Sequence, residues 1–258
     1  MIDSHCHPYI KANRKEQDDL IKEAVDNGVS AIICIGIDTA TSRQSIELAE
    51  RFDEVYATVG LHPHDAVKFN DSVLKELRSL AVHKKVVAIG ETGLDFYRNL
   101  SPKEIQQKAF EAQLELAAEL KKPVVIHTRE SLEDAISTVR KFKSKLVGGV
   151  FHCFPGNAAD AEKVFELGFA VSFGGVVTFK NSQMSRVAQE VSLENVILET
   201  DAPYLTPEPY RGKPNRPAYV RLVYEKLAGI RGVSFEQIEK QIDRNCQKLF
   251  GLVETFEG

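Results

Sequence analysis

Short, nearly continuous apolar runs recur along this chain, and the intervals between them carry the spacing of amphipathic helices. The runs occupy residues 1–3, 31–36, 55–60, 86–90, 124–126, 149–151, 169–173 and 195–199. Runs of this kind, without strict polar alternation, suit parallel strands covered on both faces. In the first interval, residues 15–27 place Leu20, Ile21, Ala24 and Val25 on one helical face, with Gly28 positioned to stop the helix. Ser101-Pro102-Lys103-Glu104 reads as a capping box with proline at the first helical position, so a long helix is expected as far as Lys121. Residues 157–167 end at Gly168, another helix stop. Two more helices are expected after the last run, over 216–228 and 235–250, the second opened by Ser234 and Gln237.

Eight strand–helix repeats predict an α/β fold, a (β/α)8 TIM barrel with additional C-terminal helices. An open doubly wound sheet is the competitor. It would place a glycine-rich turn after the first strand, and none is present there. No linker, low-complexity stretch or change of composition divides the 258 residues, so one domain over 1–258 is expected.

Composition narrows the setting. Hydrophobic residues make up 43% and charged residues 27%, enough for a sizeable core, and the formal net charge of -4 excludes an overall polyanion-binding surface. A nucleic-acid partner would have to meet a local basic patch. The four cysteines, Cys6, Cys34, Cys153 and Cys246, form no C-x-x-C pair, and Cys34 lies inside an apolar run as a buried free thiol. No signal-peptide pattern and no membrane-length apolar segment is visible, so a cytoplasmic, non-membrane protein is expected, most simply a monomer.

Five of the runs end in metal-type ligands: Asp3-Ser4-His5-Cys6-His7, Gly90-Glu91, Ile126-His127, Phe151-His152 and Leu198-Glu199-Thr200-Asp201. In an extended strand His5 and His7 point to the same side while Cys6 points away. A carboxylate directly after a buried strand, as at Glu91, is costly unless paired or metal-bound, and a salt bridge at the barrel rim is the plain alternative. His127 and His152 repeat the format on successive strands. Parallel barrel strands open onto one face at their C-terminal ends, so these groups would converge there. Four imidazoles and two carboxylates exceed the three protein ligands usual for a mononuclear catalytic zinc, so two divalent ions are expected. One would take His5, His7, Asp201 and Glu91, and the other Glu91, His127 and His152. Asp201 would also be placed to accept a proton from an attacking water, and Glu199 to act as a supporting carboxylate. The mixed nitrogen and oxygen set does not choose among magnesium, manganese, zinc and nickel.

At these residues the chain resembles the TatD family of metal-dependent deoxyribonucleases. The segments that carry the resemblance are Asp3-Ser4-His5-Cys6-His7, Gly60-Leu61-His62-Pro63-His64, Gly90-Glu91-Thr92-Gly93-Leu94-Asp95, His127-Thr128-Arg129-Glu130, Leu198-Glu199-Thr200-Asp201-Ala202-Pro203-Tyr204-Leu205 and Pro209-Tyr210-Arg211-Gly212-Lys213-Pro214-Asn215. The resemblance implies an amidohydrolase-type barrel, hydrolysis of phosphodiesters in DNA, often from 3′ ends, and the same ligand set of His5, His7, Glu91, His127, His152 and Asp201. Pro8 and Ser131 depart from the family's usual residues, outside that set. A two-metal hydrolase acting on a small lactone, amide or other ester is the alternative. Many such relatives bridge their ions with a carboxylated lysine after the fourth strand, where this chain has Glu91. A non-enzymatic scaffold is a third reading, disfavoured by so complete a ligand set.

Substrate contacts are expected around the metals. His62 could meet a phosphate or hold a ligand, with a structural loop histidine as the competing reading; His64 follows beyond the stiffening Pro63. Arg129 could neutralise a phosphate oxygen or form a rim salt bridge with Glu130 or Glu91. The loop 204–216 carries Tyr204, Tyr210, Arg211, Lys213, Asn215 and Arg216 among several prolines, which suits a single strand or strand end of DNA, with a solvated connecting loop as the competing reading.

Overall fold

The computed structural model describes residues 1–252. All eight expected strands form, as β1 (Ile2–Cys6), β2 (Ala31–Cys34), β3 (Val55–Val59), β4 (Val86–Asp95), β5 (Val124–Arg129), β6 (Gly149–Phe151), β7 (Phe169–Phe173) and β8 (Val196–Leu198). They pair in sequence order, each parallel to the next. The sheet is drawn shut just past the end of β8: Cys6 bridges Ala202, His7 N–H donates to Ala202 O at 2.7 Å, and Asp201 N–H donates to His5 O at 2.9 Å. The fold is therefore the expected TIM barrel.

Helices fill the intervals: α1 (Arg14–Asp26), α2 (Thr39–Arg51), α3 (Asp71–Ala81), α4 (Lys103–Leu120), α5 (Leu132–Phe142), α6 (Ala158–Glu166), α7 (Gln183–Glu190), α8 (Val220–Arg231) and α9 (Phe235–Phe250). Of the face expected on α1, Ile21 and Ala24 are buried and Leu20 and Val25 partly so. Gly28 and Gly168 follow their helices with φ of 86° and 81°, a left-handed backbone that glycine adopts without a Cβ clash. Ser234 and Gln237 form the expected capping box. Ser101 and Glu104 do not. Pro102 takes the cap position of α4, while the Ser101 hydroxyl donates to His64 O and accepts from Val67 N–H. The hydroxyl ties the third strand's loop to the fourth's. The helix expected over 216–228 begins later, at Val220, after a short 3-10 turn Pro217–Tyr219.

The core has two layers separated by the barrel wall. Large side chains such as Phe110, Phe151, Phe169 and Phe173 pack between strands and helices. The lumen holds smaller ones, including Ile2, Ile33, Ala88, Val125, Val150, Ala170 and Ile197, and α9 closes its lower end with Cys246 and Phe250. Alternate strand residues face alternate sides, so Val125 is followed into the lumen by His127, Val150 by His152, and Ile197 by Glu199. β1 and β4 break the rule at register irregularities, between Asp3 and Cys6 and between Ile89 and Thr92. Such a bulge changes which side later residues face. Ile2 and His5 therefore both point inward, as do Ala88 and Glu91. The cysteines are all free, Cys34 fully buried. Among the described residues, no helix is long and apolar enough to cross a membrane.

Candidate metal centre

Glu91 stands at the middle of the barrel mouth, and its two carboxylate oxygens face different neighbours. Oε2 lies 3.5 Å from His5 Nε2 and 3.7 Å from His7 Nε2. Oε1 lies 2.9 Å from His152 Nε2, 3.1 Å from His127 Nδ1 and 3.4 Å from His62 Nε2. Asp201 Oδ1 completes the first side, 3.8 Å from His5 Nε2 and 3.6 Å from His7 Nε2. All six expected ligands therefore meet in one cluster. His62 joins them, its ring nitrogen closer to Glu91 than those of His5 and His7 and farther than those of His127 and His152.

The donor set fits a cation. His5 Nε2 and His7 Nε2 face each other at 3.2 Å, and His127 Nδ1 and His152 Nε2 at 3.3 Å. Ligands held 2.0–2.2 Å from a tetrahedral ion stand about 3.3–3.6 Å apart, within about 0.1 Å of the shorter of these spacings. The outer ring nitrogens show which inner ones carry lone pairs. Tyr9 O–H donates to Ile35 O, so His7 Nδ1–H is the donor to Tyr9 Oη at 3.1 Å, and Nε2 is left bare. His127 Nε2–H donates to Asp95 Oδ2 at 3.1 Å, which frees Nδ1. His62 has the opposite arrangement. Its Nδ1 accepts the His64 amide at 3.2 Å, so neutral His62 directs an Nε2–H towards Glu91. His62, Glu91 and His127 also converge closely enough to hold an ion, and in this tautomer His62 acts as a hydrogen-bond donor to Glu91.

Electrostatics follow from burial and crowding. Burial works to raise the Glu91 pKa, but the imidazoles of His152, His62 and His127 outweigh it and hold the carboxyl well below its usual range. Burial, then the neighbouring His152, pushes His5 down to about 3, and burial takes His62 down to about 4. His152 is raised well above its ordinary value. Burial opposes its charge, but Glu91 and Glu199 on either side favour it more strongly. The His5 and His152 rings stack at 3.9 Å between centroids.

The supporting groups were only partly legible. Glu199 takes the expected supporting place, accepting the Ser172 hydroxyl and the Cys153 amide, with Oε1 3.4 Å from His152 Nδ1. Asp95 is a further supporting carboxylate, beyond those expected from the sequence. It is fully buried, and its Oδ2 accepts His64 Nε2–H at 2.8 Å as well as His127, while Oδ1 accepts the Arg98 amide at 2.8 Å. The signal lay in the spacing: Glu91, Gly93 and Asp95 share one face if the strand runs on through the glycines, as β4 does. Two buried glutamines on one face of α4 hold these strand ends. Gln106 pairs with the backbone N–H and C=O of Asp95, and Gln113 with those of Leu61 and with the Thr92 hydroxyl.

The remaining expected contacts diverge. Tyr204 is half exposed beside His7, with ring centroids 6.3 Å apart. Arg211 lies over the Phe179 ring at 4.0 Å, and Lys213 near Tyr210, which stacks on Tyr219. Arg216 is tied to Glu23 on α1 at 2.7 Å. Asn215 is a correction. Its side chain is buried, its amide N–H groups donate to Thr200 O and Tyr204 O, and its oxygen accepts the Arg216 amide, so it shapes the loop from within. Arg129 forms neither of the salt bridges considered for it and lies over the Tyr97 ring.

Comparison with known proteins identifies the family. A family model described as TatD related DNase matches residues 2–251. An uncharacterized metal-dependent hydrolase, YabD of Bacillus subtilis, is 38% identical, covering 97% of this chain and 98% of its own. A protein named 3'-5' ssDNA/RNA exonuclease TatD from Pantoea ananatis is 37% identical over 92% of this chain and 94% of its own. Among solved structures, the TatD homologue YJJV of Escherichia coli superposes with a TM-score of 0.92 at 30% identity, covering 98% of both chains. With an eight-stranded barrel and a histidine–carboxylate cluster at its mouth, the chain belongs to the TatD-related DNase family of metal-dependent hydrolases.

Proposed function

We propose that this enzyme hydrolyses phosphodiester bonds in single-stranded DNA, working from strand ends, with two divalent cations held at the barrel mouth. The observation that carries the reading is the two-sided Glu91 carboxylate, each oxygen turned to its own set of imidazoles. His5, His7, Asp201 and Glu91 would hold one ion, and Glu91, His127 and His152 the other. Bound there, such ions supply Lewis-acid polarisation of a phosphoryl oxygen and a water acidic enough to ionise near neutral pH. Asp201 reaches the cluster from beyond β8 and keeps partial access to solvent, which suits it to accept the proton of the attacking water. His62 Nε2–H suits hydrogen bonding to a phosphoryl oxygen as negative charge builds there. Relatives named as exonucleases on single-stranded DNA and RNA support the choice of substrate.

Metal-stripped protein given a 5′-labelled single-stranded oligonucleotide, a duplex, a generic phosphodiester and a lactone separates the readings, with magnesium, manganese, zinc or nickel restored in turn. The expected result is metal-dependent shortening of the single strand, two ions bound per chain, and loss of cleavage in Glu91→Ala. Oligonucleotide cleavage that survives in Glu91→Ala or His152→Ala would remove the proposed site. Lactone turnover without phosphodiester turnover would replace the proposed substrate.

A further inference from the structure

Tyr97 and Arg129 follow the strand ends that carry Asp95 and His127, and among the described residues neither side chain is tied down by a hydrogen bond or an ion pair. β4 and β5 run side by side with Asp95 opposite Arg129. Arg129 leaves β5 on the same side as His127, two residues further out, about 7 Å along the strand. The ion-paired arginines of the described residues are Arg43, Arg51, Arg78, Arg211, Arg216 and Arg221, so Arg129 keeps an unneutralised guanidinium. That guanidinium lies 3.9 Å from the centre of the Tyr97 ring. Tyr97 is 56% exposed, and among the described residues Arg129 is its one stacking partner.

An exposed aromatic ring with a cation on one face is weakly stabilising as a structural contact. As a binding surface it is pre-organised. The ring holds the guanidinium in place, leaving its N–H groups free for an anion and the exposed ring free for a flat ligand. An unpaired base with its flanking phosphate has both features, whereas a base inside a duplex has its faces covered by its neighbours.

We propose that Tyr97 and Arg129 form the platform for the nucleotide next to the scissile bond, Tyr97 stacking its unpaired base and Arg129 holding its phosphate. The inference rests on the reading of the enzyme as a single-strand nuclease and gives that reading a structural basis for strand selectivity.

The test is a cycle between protein and substrate. Wild type, Tyr97→Phe, Tyr97→Ala and Arg129→Gln are assayed for binding and cleavage of a single-stranded oligonucleotide, and of versions with one abasic position stepped inward from the 3′ end. Tyr97→Ala should raise KM tenfold or more on the intact strand, with Tyr97→Phe near wild type. At one abasic position the Tyr97→Ala effect should vanish, since the base it would stack is gone. Arg129→Gln should flatten the salt dependence of binding, by about 0.7 in the slope of log K against log salt. Equal losses on intact and all abasic strands, or no loss with Tyr97→Ala, would overturn the platform. Cleavage without Tyr97 dependence refutes this inference alone. Tyr97-dependent binding without cleavage in any metal refutes the proposed reaction and supports the platform. Neither binding nor cleavage overturns both.

Discussion

Replacing Asp95 by asparagine changes almost no volume and tests whether this carboxylate sets the metal-facing side of His127. Asp95 is fully buried and accepts three hydrogens: from His64 Nε2 at 2.8 Å and His127 Nε2 at 3.1 Å on Oδ2, and from the Arg98 amide at 2.8 Å on Oδ1. An asparagine offers one acceptor oxygen and one amide donor. If the amide replaces Oδ2 it faces two N–H groups, and if it replaces Oδ1 it faces the Arg98 N–H. The first loses a charge-assisted bond to His127, about 1.5–3 kcal/mol. It also favours the other His127 tautomer, with the proton on Nδ1 facing Glu91 Oε1 and no lone pair left for an ion. The expected result is metal binding weakened about 10–100-fold, equivalent to about 1.4–2.8 kcal/mol. Calorimetric titration of the stripped protein with manganese measures this directly, with the melting temperature as a control for folding. A dissociation constant within about threefold of wild type, in a variant that melts normally, would refute the assignment of Asp95 as the group that orients His127.

Two further substitutions probe the scaffold beneath the site. Gln113→Leu leaves the buried Leu61 N–H without its partner at 2.7 Å, which costs about 1–3 kcal/mol. The melting temperature should fall by roughly 5 °C in differential scanning calorimetry, with hydrolysis reduced because His62 follows Leu61, and an unaltered melting temperature would count against this clamp. In Gly60→Ala the new Cβ would meet Gly90 C at 2.5 Å and Glu91 N at 2.8 Å, closer than carbon atoms approach, so Glu91 must shift. Such a variant should keep its far-ultraviolet circular dichroism yet bind metal at least tenfold more weakly; full metal affinity would show that the close approach is not needed.

Apolar runs and helix punctuation located all eight strands and the helices around Gly28, Gly168 and Ser234, because burial of parallel strands and capping of helix ends act through residues close in sequence. The pairing of His5 with His7 was readable for the same reason, since alternation along a strand is local. The capping box expected at Ser101 failed because its hydroxyl had a better use between two loops, and Asn215 turned inward to hold its own loop. Neither partner is visible in a linear pattern.

Other features depended on where the chain is brought together. The bulges in β1 and β4 decide that His5 and Glu91 face the lumen, and they arise only when neighbouring strands pair. Closing the barrel places Asp201 beside His5 across nearly the whole chain, through the bond from Asp201 N–H to His5 O. The same convergence makes Asp95 the partner of two imidazoles and sets Tyr97 under Arg129. Residue types and their periodicity therefore declared a barrel and a ligand set. The direction in which each ligand points, and which nitrogen carries the proton, was decided by contacts between segments that only the folded barrel brings within hydrogen-bonding range.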